Sequence, residues 1–225
     1  MDEVKEIYNN GKLLLRAMDQ PIIKKSKDIK YYDCSTWVDE FTYLKNEGLF
    51  SLSTTLIIPE VGVKTYKNIG FLIDAFRAYC HHIAKEDSGS CGNYQLGDFM
   101  ANKPDFYRIE DLASYVKLNN ATVMNEVNVN VKLDAIKGLV INKCNSSFDL
   151  LKKIFIVRKM LENLVGVIYP VYLYDWNNGK LDLIDISKEI EDEIIDSLDC
   201  DVIRCWPDDV FKPYFISIES THLIK

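Results

Sequence analysis

Three polar positions stand in or beside apolar, strand-like runs: Arg16 directly after Leu13-Leu14-Leu15, Ser53-Thr54-Thr55 after Phe50, and Glu126 just before Val127. A charged side chain rarely enters a core strand without a partner. A guanidinium fork suits a diphosphate or a carboxylate. A strand-borne Ser/Thr cluster can fix a nearby carboxylate by hydrogen bonds. A carboxylate held in a cleft can bind a sugar hydroxyl and stabilise positive charge growing at an anomeric carbon. Each position also has a plain structural reading: an ion-paired arginine, a Ser/Thr strand edge, a solvent-facing strand glutamate.

Other reactive groups point elsewhere less clearly. Cys80-His81-His82 and Cys91 bring soft ligands close together, but the paired C-x₂₋₄-C or H-x₃₋₅-H spacing of a zinc site is absent. The pair reads as a half-exposed helix or strand end, and no metal is expected. The six cysteines are read as reduced thiols, because 225 residues bury a core without staples. Lys152, Lys153, Arg158 and Lys159 read as a solvated helix face that can also touch phosphate.

The elements that must position the three motifs follow from periodicity. Strands are expected over residues 12–18, 49–55, 69–75, 122–131, 136–141 and 167–174, with an edge strand at 215–219. Helices are expected over 36–44, 109–118, 148–165 and 186–198, the third being the clearest amphipathic pattern. Residues 24–30 read as a basic turn and 85–105 as loop. Strands outnumber helices and do not alternate with them, so the fold class is α+β, with a mostly antiparallel core and flanking helices.

In this order and placement the motifs resemble those of the mono-ADP-ribosyltransferases of the Arg-Ser-Glu class. Leu14-Leu15-Arg16 is similar to that family's first strand, Phe50-Ser51-Leu52-Ser53-Thr54-Thr55 to its aromatic-x-Ser-Thr-Ser strand with Thr for the last Ser, and Met124-Asn125-Glu126-Val127-Asn128-Val129 to its third. The resemblance covers roughly residues 11–142. It implies NAD⁺ as substrate and a split β core. Arg16 would clamp the phosphates, Ser53 orient Glu126, and Thr54 and Thr55 support the site. Glu126 would hold the nicotinamide ribose and stabilise the oxocarbenium ion. Tyr66 or Phe71 would stack on nicotinamide, although each ring also reads as a plain core residue, and the turn before Asn125 would read the acceptor. Arginine-modifying members carry Glu-x-Glu, whereas this chain has Met124 at the first acid. That argues against arginine as acceptor. Met124, Asn120 and Asn125 then suit a base edge, so single-stranded nucleic acid is favoured over a non-arginine protein side chain.

Charge narrows the classes further. Residues 175–225 hold thirteen acids and five bases, a net of −8, while 1–174 hold 22 bases and 21 acids, a net of +1. A broad basic nucleic-acid face is disfavoured. The expected organisation is a catalytic core over 1–174 and an acidic extension over 175–225 packed on the same domain. The acidic N-terminus is no secretory leader and no apolar run reaches membrane-spanning length, so a cytoplasmic location without membrane contact is expected. An intracellular toxin or effector with a neutralising, antitoxin-like partner fits this size. The rival is an inactive α+β binding module that docks a partner through its acidic C-terminal region.

Overall fold

Alternation organises the centre of the molecule. In β7 (Glu126–Val131), Val127, Val129 and Val131 are fully buried while Asn128 and Asn130 stay half-buried, as a strand with one face on a core requires. The computed structural model describes residues 2–26, 29–46, 50–65, 67–85, 104–119, 125–198, 202–204 and 215–217. Its class is the expected α+β, with five α-helices among the described residues and mostly antiparallel strands.

An eight-stranded sheet has the order β10 (Lys180–Ile184), β9 (Val171–Asp175), β8 (Ile136–Asn142), β5 (Ile69–Asp74), β1 (Leu13–Met18), β4 (Phe50–Ile57), β7, β6 (Tyr79–Ala84). Its one parallel pair is β8–β9, joined by α4 (Phe148–Val165), the long crossover a parallel pair needs. A second sheet has the order β12 (Phe215–Ser217), β11 (Val202–Arg204), β3 (Ile29–Asp33), β2 (Ile22–Ser26). One face of the main sheet buries Leu14, Leu56, Phe71 and the β7 valines against Trp37 and Phe41 of α2 (Ser35–Asn46), Leu112 of α3 (Ile109–Asn119), and Ile154 and Met160 of α4. The opposite face buries Leu13, Leu15, Ile57, Tyr172 and Tyr174 under Val4 and Tyr8 of α1 (Glu3–Asn9).

The sheet splits at β4. Thr55, Leu56 and Ile57 pair with Leu15, Leu14 and Leu13 of β1. From Thr54 back to Phe50 the strand pairs instead with Val127 to Val131 of β7. The two strands therefore part at Leu15 and Thr55, which leaves Arg16 on one lip and Ser53 on the other. Gly70 fixes the first lip from behind: it stands opposite Ala17, and an added Cβ would lie 2.2 Å from the Arg16 carbonyl oxygen. Gly70→Ala should push β1 off β5 and lower stability by about 1–3 kcal/mol. A urea midpoint equal to wild type would show that the two strands separate without strain.

Several boundaries differ from expectation for identifiable reasons. The acidic N-terminus is a helix, because Asp2 caps Val4 and Lys5 N–H groups and Val4 and Tyr8, one turn apart, reach the core. Of the stretch read as a basic turn, residues 24–26 and 29–30 are strand, paired in the β2–β3 hairpin. There the Lys24 ammonium pairs with Asp33 and Tyr31 and Tyr32 are buried. Residues 175–184 complete the β9–β10 hairpin of the main sheet, so the acidic stretch begins inside the sheet. Beyond it, α5 (Lys188–Asp196) packs Ile194 inward, and Glu191 meets Lys159 of α4 at 2.7 Å. Among the described residues, no helix is long and apolar enough to cross a membrane.

Candidate active site

Arg16, Ser53 and Glu126 meet at the split. The Ser53 hydroxyl donates to Glu126 Oε1 at 2.8 Å, and Arg16 Nη1 donates to the Ser53 carbonyl oxygen at 3.1 Å. Glu126 opens β7 and is only 5 % exposed. Across from it on β6 stands Ala84, whose small side chain crowds the carboxylate little.

A fourth member, Glu40, completes the line. Arg16 Nε donates to Glu40 Oε1 at 2.8 Å, and Nη2 lies 2.8 Å from the same oxygen. The Glu40 side chain is 8 % exposed against 31 % for Arg16. Burial raises the Glu40 carboxyl above its ordinary value, and the Arg16 charge and hydrogen bond oppose that rise. Glu40 thus neutralises Arg16 and fixes its plane. These contacts engage three of the five guanidinium N–H groups. The two that remain are directed donors of the geometry that suits a phosphate.

Glu40 is the member of this cluster that sequence reasoning missed. It lies on α2 within the buried set Trp37, Val38, Phe41 and Leu44. Its spacing from Trp37 (i+3) and Leu44 (i−4) places a carboxylate on an apolar stripe, which is the signal that could have found it.

The remaining predicted site residues divide. Thr54 is buried and its hydroxyl donates to the Val127 carbonyl at 2.6 Å, holding β4 to β7 behind the carboxylate. Thr55 is half-buried at the last β1–β4 pair. Phe71 is corrected from a nicotinamide-stacking ring to a core ring. It is wholly buried, with centroids 6.1 Å from Trp37 and 5.2 Å from Phe41. Asn125 is corrected from acceptor reading to strand repair: its Oδ1 accepts from Leu56 N–H at 2.7 Å and its Nδ2 donates to Leu56 O at 3.1 Å. It is 3 % exposed, so its amide extends the β4–β7 ladder beyond the last backbone pair, Thr54 with Val127. Asn125→Ala should strand two buried backbone groups and destabilise by about 1–3 kcal/mol. That is a Tm drop of about 2–4 °C per kcal/mol for a chain of this size; an unchanged Tm would mean solvent fills the gap. Tyr66, Met124 and Asn120 lie outside the described residues.

The other reactive groups stand apart. His81 and His82 lie on β6, as a half-exposed strand. Burial, with Glu110 adding, pushes the Cys80 thiol up to about 11, which keeps it protonated and weakly nucleophilic. Among the described residues, no group of three His, Cys, Asp or Glu side chains could hold a metal ion. Three of the four α4 cations are engaged in ion pairs or hydrogen bonds: Lys153 with Asp149 and Gln20, Arg158 with the Tyr169 carbonyl, Lys159 with Glu162 and Glu191, while Lys152 lies over the Phe148 ring. Compared with known proteins, the chain matches no family model, and no curated protein matches it.

Proposed function

We propose that the chain breaks the nicotinamide–ribose bond of NAD⁺ and transfers ADP-ribose to a macromolecular acceptor. The observation that carries this reading is the hydrogen-bonded line Glu40–Arg16–Ser53–Glu126 across the split of the sheet. It sets directed phosphate donors beside a nearly buried carboxylate whose orientation a hydroxyl fixes. In the proposed reaction the two remaining Arg16 N–H groups meet the diphosphate. Glu126 accepts from the 2′-hydroxyl of the nicotinamide ribose. As the C1′–N bond breaks, its electron pair leaves with the pyridine ring, which becomes neutral. The carboxylate then faces an oxocarbenium ion in a site of low dielectric, where such preorganised charge acts most strongly. The acceptor nucleophile bonds to C1′ and releases its proton to solvent.

With Met124 in place of an acid, single-stranded nucleic acid is the favoured acceptor over a non-arginine protein side chain. Nicotinamide release from NAD⁺ by the purified chain tests the reaction. Labelled NAD⁺ in lysate, followed separately by nuclease and protease, assigns the acceptor by whichever treatment removes the label. A folded chain without turnover would favour the second reading, a binding module. The observation behind that reading is α5, whose Glu189, Asp192, Glu193 and Asp196 are exposed on one short helix. The same acidic surface is the one offered to a neutralising partner if the enzyme acts in the cell that makes it.

A further inference from the structure

The sheet face that carries Glu126 continues past it along β4, β7 and β6. Cross-strand partners share a side of the sheet: Ser53 stands opposite Asn128, which stands opposite His82, and Ser51 opposite Asn130, which stands opposite Tyr79. The register shifts between Cys80 and His82, so His81 is an extra residue and two imidazoles stand against Asn128. Bulges of this kind re-aim side chains at sheet edges. His81 Nε2 lies 3.2 Å from Ser51 Oγ. Its ring stacks on Tyr79, with centroids 6.5 Å apart and 28° between planes. Tyr79 is 68 % exposed. Beyond β7, Lys132 is exposed and extended at φ −110 and ψ 164, and so continues the alternation of Glu126, Asn128 and Asn130 on this face.

The surface therefore has a carboxylate at one end, a cation at the other, neutral donors and acceptors between, and a stacked aromatic pair beside them. We propose that this face binds an unstacked single strand of nucleic acid, with a base on Tyr79 and His81, Asn128 and Asn130 toward base edges, and Lys132 on a phosphate. Its service as the acceptor site rests on the NAD⁺ reading above. Aromatic rings stack any base face, and asparagine amides pair with base edges. A duplex hides those faces from an open sheet. A basic protein side chain would call for acids, and among the described residues of this face Glu126 is the only one.

The test uses the full chain without NAD⁺ and a fluorescein-labelled single strand of about ten nucleotides, alone and as its duplex, read by anisotropy at low salt. The single strand should bind at least about tenfold more tightly than the duplex, and Tyr79→Ala should weaken it about tenfold. Lys132→Ala should weaken all sequences alike and reduce the salt slope by about 1. Circular dichroism checks the fold; should Tyr79→Ala fail to fold, His81→Ala carries the same expectation. Absence of strand binding, preference for the duplex, or affinity unchanged in both Tyr79→Ala and His81→Ala would overturn the proposal. Nicotinamide release is measured on the same wild-type protein. Release without strand binding sinks this face and leaves the enzyme, whereas strand binding without release sinks the enzyme and leaves the face.

Discussion

Glu126→Gln should cut NAD⁺ turnover by about 10²-fold or more while the chain stays folded. The amide keeps the shape of the carboxylate, and its oxygen can still accept from the Ser53 hydroxyl, now 2.8 Å from Oε1. Alternation with the buried Val127 and Val129 is untouched. On the proposed reading, what disappears is the negative charge that faces C1′ as nicotinamide leaves. Because Glu126 is only 5 % exposed, water cannot replace that charge at the reacting centre. Nicotinamide release and thermal unfolding are measured on the same preparation. Turnover close to wild type in a folded variant would end the transferase reading; lost turnover with a collapsed Tm would instead assign Glu126 to the fold. Ser53→Ala should give a smaller loss, since it frees the carboxylate without neutralising it.

Much of this site was legible because local periodicity and tertiary burial agree. The amphipathic pattern over residues 148–165 coincides with α4, which Ser147 caps and Gly166 ends in the left-handed conformation. The valines of β7 and the apolar run before Arg16 behave likewise. What sequence reasoning missed depended on partners distant in the chain. Phe71 reads from sequence as a core ring or a stacking ring, and α2 decides it by bringing Trp37 and Phe41 against it. Asn125 looks like a base reader until the end of the β4–β7 backbone ladder leaves Leu56 in need of its amide. The β2–β3 hairpin was hidden because its lysines suggested solvent, while its burial rests on Tyr31 and Tyr32. Glu40 was visible in principle as a charge on an apolar stripe, but its partner lies 24 residues away. Its role needed the geometry.

That geometry predicts a coupled pair. Arg16→Lys should raise KM for NAD⁺ by about 10–100-fold, the range for losing hydrogen bonds to a charged group, with a smaller effect on kcat. A lysine is a point charge with no planar fork. If it stays on Glu40 it cannot also reach the Ser53 carbonyl oxygen that Nη1 now meets at 3.1 Å. Glu40→Gln should raise KM in the same direction, because an amide oxygen holds Nε and Nη2 less firmly than the carboxylate does. The net charge at the cleft moves the opposite way: loss of Glu40 makes the site more positive. Attraction between net charge and phosphate alone would therefore make Glu40→Gln bind NAD⁺ more tightly, whereas orientation of the fork makes it bind more weakly. The double variant separates the two. If Glu40 acts by aiming Arg16, its effect should nearly vanish once Arg16 is lysine, leaving a coupling of the order seen for residues in one hydrogen-bonded network. Simple addition of the two single effects would mean that Glu40 supports α2 packing and that Arg16 finds the phosphate without it.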